Sequence, residues 1–469
     1  MTKRTRTLLF FFLGFLFLCS TPLLILYSQG YRIDWNSRTI GQIGAIHFHI
    51  DPARADILID QQHRDRTLPL VNTAFIQNLV PQTYHAQVVK EGYHSWEKDL
   101  EVTPRQVTEA NNILLLPKNI NFKAVAGNVM QWWQSPNHAY AIVQEQLPNN
   151  KWRLLILSYD NETLKPFYDQ KSFTETVGDI KWNIQSSEFL AQIQSREQTA
   201  LYLWETSKTL SQNSSPAPPP ASPIISSAQD ISHLDFSPRT NSLILLRYEE
   251  QGNELLQIQY DAGKISQTEM LASNVLAFTV SGTHILWIDG EGRIWDQNDR
   301  AQTPESVNIT VFPIDPELPY QLYYFGGKVF LQENRRLFIL NDSRVFEELF
   351  PLVDTIALSP DGKKLAFAQG SESWLYFLSD ELDQPKHSRG EKVFLTRFSQ
   401  PISDLSWLNS HYLIFRISDE IKAMEIDTRD NINTVTLLHF ISPSFRFNPA
   451  TKFLSIYSEK KLFVTEKLF

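Results

Sequence analysis

The sequence has one cysteine, Cys19, and it lies inside an uncharged stretch near the N-terminus. Everything beyond that stretch therefore lacks disulfides, a thiolate metal site and a cysteine nucleophile, and must be held together by core burial alone. An excess of basic residues is also missing. The chain has 43 Lys and Arg against 52 Asp and Glu, a formal charge of −9. Once Lys3, Arg4 and Arg6 are set aside, 40 basic residues face the same 52 acids. That balance excludes a nucleic-acid partner, which needs a basic face, and gives no polybasic surface for anionic lipid. Long amphipathic helical patterns are nearly absent. So are a nucleophile elbow, a His-Glu-x-x-His motif, a Walker motif and a Gly-rich dinucleotide signature. Asp289 to Asp296 faintly suggests a calcium loop, but it lacks the Asp-x-Asp-x-Asp-Gly order and reads as a hairpin turn between strands. The 11 histidines are scattered, and none pairs in sequence with a credible nucleophile. No catalytic, cofactor-binding or metal-ligating residue is assigned, no cofactor is implied, and the chain reads as a non-enzyme.

What is present begins with Leu8 to Tyr27, 20 residues without a charge. That is long enough to cross the hydrocarbon core of a bilayer as a helix. Lys3, Arg4 and Arg6 precede it, and the next basic residue is Arg32. The positive-inside rule holds residues 1–7 in the cytoplasm and sends the rest across. A cleaved signal peptide would have a shorter apolar core and a small-x-small site, and Tyr27 to Gly30 is a poor site. Cys19 does not fit a lipid-attachment cysteine, because Phe17 and Leu18 precede it. Residues 8–27 thus read as an uncleaved anchor whose partner is the lipid bilayer, with 28–42 as a juxtamembrane linker. The expected location is the cell membrane, single-pass, with the C-terminal domains extracytoplasmic.

Beyond the anchor, short apolar or alternating runs are separated by Asn, Asp, Gly, Ser and Pro, the mark of an all-β chain. Residues 43–117 form a first unit, with strands expected at Ile43 to Ile50, Asp56 to Asp60, Tyr84 to Lys90 and Ile113 to Leu116. His47 and His49 fall on one face of the first strand, with Asp51 next in the alternation. A metal could use that spacing, but one-sided burial of Ile46, Phe48 and Ile50 already requires a polar outer face. The course Asp51-Pro-Ala-Arg-Ala-Asp-Ile-Leu-Ile-Asp60, then Leu68-Pro69, Leu79-Val-Pro-Gln-Thr-Tyr84 and Gly92-Tyr93, resembles the PEGA domain of envelope proteins. It departs from that family at Arg54 and Gln82, where turn glycines are usual. The resemblance covers about 75 residues and implies a small β-sandwich that binds or spaces, without an active site.

From residue 118 onward a pattern recurs. A short strand and a turn precede an apolar strand in eight places: before Ala139 to Val143, Phe189 to Ile193, Ser242 to Leu246, His284 to Ile288, Lys328 to Leu331, Lys364 to Ala368, Tyr412 to Phe415 and Phe453 to Tyr457. Pro136 to Pro449 spans 313 residues in seven steps, or about 45 per step. Third and fourth strands follow in most units. A period near 45 with four short strands is the signature of a β-propeller, here of eight blades, or seven if the fourth or fifth unit is misread. The last unit lacks a fourth strand, and Asn121 to Ala126 is a spare strand that would complete it and close the ring. Ser359-Pro-Asp-Gly-Lys-Lys-Leu-Ala-Phe367 looks like the strand-turn-strand of TolB-like and WD-type propellers, a resemblance that implies architecture and not activity. Residues 206–227, rich in Pro and Ser, read as a disordered insertion in the second blade.

The expectation is a membrane-anchored extracytoplasmic binding or scaffold protein that presents a propeller at 118–469 to an envelope protein or polysaccharide, with the small domain as spacer. The alternative is a propeller hydrolase or lyase acting on envelope glycans, which needs carboxylates and His converging from several blades. A sensor is a third reading, but so short a cytoplasmic tail carries no output domain.

Overall fold

The computed structural model describes residues 3–28, 31–34, 39–67, 71–196, 198–211, 223–228, 230–250, 252–298 and 303–469. Apart from one long helix, Lys3–Ser28, and a short one, Thr206–Ser211, the secondary structure is almost entirely strand. Among the described residues no helix is long and apolar enough to cross a membrane. The side chains of residues 8, 23 and 26, within the apolar run, lie outside the described set. The large apolar side chains described on the Lys3–Ser28 helix, such as Phe10, Phe15 and Leu18, are exposed. Residues 28–42, read as a linker, hold a two-stranded hairpin of Tyr31–Asp34 and Thr39–Gln42.

The small domain is two sheets around one core. Gly44–Asp51 lies between Thr73–Leu79 and the parallel strand Val107–Leu114. The second sheet runs Gln62–Arg66, Asp56–Ile59, Thr83–Val89, Trp96–Glu101. Alternation does the sorting here: Ile46, Phe48 and Ile50 point inward and are fully buried, while His49 and Asp51 point outward. Arg54 takes φ +63°, a glycine-like conformation, in the turn before Asp56–Ile59. Leu68 and Pro69 of the family-like course lie outside the described residues.

Eight further sheets form a β-propeller. Their innermost strands are Val129–Gln134, Thr176–Trp182, Ile231–Phe236, Val275–Ser281, Tyr320–Phe325, Thr355–Leu358, Ile402–Asn409 and Ser444–Phe447. Every neighbouring pair of blades shares its own apolar core. Phe167 of blade 1 meets Phe189 and Trp204 of blade 2, Leu190 meets Leu243, and Leu246 meets Val275. The series continues as Leu286 with Leu322, Phe330 with Phe367, Phe377 with Phe415 and Ile414 with Phe445, and closes where Leu462 of blade 8 meets Val129 of blade 1. The second strand of a blade is therefore apolar on both faces: in Tyr140–Gln146, Ile142 faces blade 2 while Ala141 and Val143 face blade 8. This two-sided burial produces the unbroken apolar runs repeated along the sequence.

Blade 8 is completed from the other end of the ring. Phe122–Ala126 pairs antiparallel with Lys461–Thr465, outside Leu454–Ser458 and Ser444–Phe447. The spare strand is thus where the sequence pattern places it, and the described strands make up eight blades. Blade 2 departs from the pattern. Among the described residues its sheet has three strands, with Leu201 bridged to Ile225 in place of a regular fourth. Of the segment expected to be disordered, residues 206–211 are helical and Ile224 is buried against blades 2 and 3, because these flanks carry apolar side chains; 212–222 lies outside the described residues.

Candidate functional site: one face of the ring

In every blade whose four strands follow one another along the chain, the turn from first to second strand and the loop from third to fourth strand emerge on the same face; blades 2 and 8 contribute the first of these turns. The first of these is a repeated device. Ser359 N–H donates to Lys364 O, Gly362 N–H donates back to Ser359 O, and the Ser359 hydroxyl accepts from Lys364 N–H while donating to Asp361. Ser135 does the same with Tyr140, His138 and Asn137. In blade 2 Asn183 substitutes, its side-chain oxygen accepting from Ser187 and Glu188 N–H. A short hydroxyl or amide at the turn's first position satisfies backbone groups that would otherwise be left open. This is why Ser-Pro and Asn-Pro recur at the repeat period.

Over blades 1 to 4 these turns border an open groove of about 670 Å³. Its walls are mostly polar, with Asn183, Gln185, Ser237 and Asn241 among them, and its carboxylates are Glu188, Glu205 and Asp235. Tyr260 donates to Glu188 Oε2 at 2.9 Å, Lys208 pairs with Glu205 at 2.6 Å, and Arg239 donates to Gln257. The aromatic members Trp182, Phe236 and Tyr260 are buried, whereas Ile184 is 72 % exposed at the rim.

The inner wall of the ring adds a second polar group. Bulges in the first strands of blades 2 and 3 interrupt the ladder between Val177 and Ile180 and between Ile231 and His233. Asp179 and Lys181 from blade 2 line a small cavity of about 80 Å³ with His233 from blade 3, and Asp235 follows two residues on. Burial, then the Lys181 charge, holds His233 below the ordinary histidine range, and burial pushes the Asp235 carboxyl up. At this cavity carboxylates and a histidine thus come together from two adjacent blades. On the far side of the ring, Asp404 pairs with Arg416 at 2.9 Å.

Blades 6 and 7 do not leave this face open, because the small domain sits on it. Lys98, fully buried, pairs with Glu425 at 2.8 Å and donates to Asp427 O at 2.7 Å; Trp96 Nε1 donates to Glu425 Oε2 at 2.7 Å. Further contacts clip backbone. The Asn433 amide accepts from Glu97 N–H and donates to Glu97 O, and Asp430 accepts from Asp99 N–H. The Gln384 amide likewise accepts from Glu109 N–H and donates to Val107 O. Trp96–Glu101 and Val107–Leu114 are edge strands of the two small sheets. Propeller side chains thus stand where a further strand would pair. Nothing in the sequence pattern marks Lys98, Gln384, Glu425 or Asn433, since their partners lie some three hundred residues away.

His47 bonds Asn111 Oδ1 at 2.7 Å and its ring lies near Phe75, while His49 is exposed; they form the outer face of their strand. Among the described residues no group of three or more His, Cys, Asp or Glu is placed to hold a metal ion. Asp289 closes a hairpin turn, accepting from Glu291 and Arg293 N–H through one oxygen and from Trp295 Nε1 through the other. A Cβ on Gly292 in that turn would fall 1.9 Å from Phe312 O, so the position requires glycine.

No protein-family model matches the chain, and no curated protein does. Its structure is similar to the WD40 domain of SCAP from fission yeast, at 11 % identity and a TM-score of 0.47, over 75 % of this chain and 95 % of that one. It is also similar to Saccharomyces cerevisiae Sqt1, at 12 % identity, TM-score 0.46, over 74 % and 97 %. A third is the β-propeller domain of Myceliophteria thermophila Cps50 (Swd1), at 10 % identity, TM-score 0.39, over 75 % and 99 %. The eight-bladed reading rests on the sheet order and the closed series of inter-blade cores.

Proposed function

We propose that this chain is a membrane-anchored, extracytoplasmic binding or scaffold protein whose propeller receives a protein or polysaccharide of the cell envelope in the groove over blades 1 to 4. The observation that carries this reading is the groove itself, wide and open on the face that the small domain covers at blades 6 and 7. Clefts of this size are where ligands settle, and the hydrogen-bonded turns around it form a preorganised wall. The anchor is supported by the uncharged run Leu8 to Tyr27, by the basic residues before it, and by the exposed apolar side chains of the helix that contains it. The PEGA resemblance and the TolB-like stretch at Ser359 to Phe367 fit an envelope setting. Deletion of residues 1–30 is expected to release a soluble protein; sedimentation of the deletion variant with membranes would show a second attachment. For the groove, cross-linking from Ile184→Cys in the cell envelope should trap a partner that a cysteine on the outer rim, such as Met270→Cys, does not. Identical products from both positions would refute the groove as the binding surface.

A glycan-active enzyme is the second reading, and its one favouring observation is the Asp179, Lys181, His233 and Asp235 group on the inner wall. If it holds, Asp235→Asn should abolish cleavage of envelope glycan while leaving glycan binding intact.

A further inference from the structure

We propose that the junction between the small domain and the propeller is an acid-operated latch, in which proton uptake by His411 loosens the clip that blade 6 places on the small domain. His411 stands in the turn after the first strand of blade 7. It lines a cavity of about 40 Å³ whose opposite wall is Ala110 to Ile113 of the small domain. Such a space admits a few water molecules at most, too few to hydrate a new cation.

The charged groups around this cavity come from three sides. Blade 6 contributes Lys364, fully buried, which is held by Asp361 at 3.1 Å and Glu381 at 2.8 Å, with Asp383 beside them. Blade 7 contributes Glu425, already bound to Lys98, and Asp427, bound to Arg429 at 2.6 Å. His387, on the same loop of blade 6 as Glu381, is occupied by Glu391 at 3.0 Å and stacks on Phe377. The small-domain wall adds Trp96, Asn111 and Asn112 and no further charge apart from Lys98.

Burial first, and the Lys364 charge second, keep His411 below the ordinary histidine range, so at neutral pH it is uncharged. A proton on its ring places a second cation beside Lys364. The two then compete for Glu381 and Asp383, which belong to the loop that carries Gln384. That amide is the clip on Glu109 and Val107, so movement of the loop frees the edge strand and admits water to the imidazolium.

The test is backbone hydrogen exchange on the full-length protein in lipid nanodiscs at about pH 7.5 and about pH 5.5, with intrinsic rates corrected for pH. Glu109 N–H is expected to lose about tenfold or more of its protection at the lower pH, while Leu413 N–H in the core of blade 7 keeps its own. In His411→Gln that loss should vanish; His411→Asn serves if the first variant does not fold. Gln384→Ala removes the clip without touching the charged cluster, and should leave Glu109 unprotected at both pH values. Protection of Glu109 that stays flat with pH overturns the latch. So does an equal loss in wild type and His411→Gln, or a Glu109 that remains protected without Gln384.

Discussion

Among single residues, Glu425 has the most to lose. Its Oε1 receives Lys98 at 2.8 Å and both the backbone and side-chain nitrogens of Asn433, and its Oε2 receives Trp96. Lys98→Met leaves that carboxylate buried beside apolar atoms without its cation, and should destabilise the protein by about 3 kcal/mol or more. The double variant Lys98→Met, Glu425→Gln should cost less than the sum of the two single changes. Urea unfolding of the four proteins checks this, and strict additivity would mean that the pair is not coupled. Arg54 offers a change of the opposite sign. Held at φ +63°, it carries a Cβ where none is favoured, so Arg54→Gly should gain about 1 kcal/mol, read as a rise in the thermal midpoint.

At the scale of elements, the closing strand decides the ring. Glu466 N–H donates to Asn121 O at 3.0 Å, so by alternation Lys123 and Val464 form the next hydrogen-bonded pair. Lys123→Pro should therefore destabilise by about 3 kcal/mol and expose an edge prone to association, whereas Lys123→Ala, which tests the side chain and its pairing with Glu162, should cost under about 1 kcal/mol. Thermal scans with light scattering distinguish the two. This strand was legible in the sequence, as were the eight strand pairs and their Ser-Pro turns, because two-sided burial and hydrogen-bonded turns leave a periodic trace. The irregular edge of blade 2 was not, since the Pro-rich composition around it hides Ile224 and the helix at Thr206–Ser211. The hairpin at Tyr31–Asp34 and Thr39–Gln42 has no alternation to announce it. The docking of the small domain was also invisible, because amides that clip another strand's backbone impose no pattern on either segment. The groove appears only once the turns of four blades are brought side by side.

The molecule as a whole should lose stability on acidification in two steps. His94, His138, His233 and His411 are all held below the ordinary histidine range, mainly by burial. The unfolded chain then takes up these protons first, so stability falls as pH drops below about 6.5 toward the folded values. The carboxyls of Asp361, Glu381 and Asp427 are held low by their cationic and hydrogen-bonding partners, against the burial that opposes them. Their contribution is complete above the ordinary carboxylate range and is lost as pH falls through that range, below about 4. Asp235, pushed up by burial, works in the opposite direction. Urea midpoints measured from neutral pH downward should show both losses, and a flat profile between about pH 6.5 and 5 would contradict the histidine step. The pairing of Phe122–Ala126 with Lys461–Thr465 also sets a timetable. Blade 1 and its successors can form as the nascent chain emerges, but the seam waits until Lys461–Thr465 has been made. Until then, the strand at 122–126 has no mate and blade 1 has one naked flank. A cell that makes this protein must keep that unfinished ring from finding a neighbour's strand first.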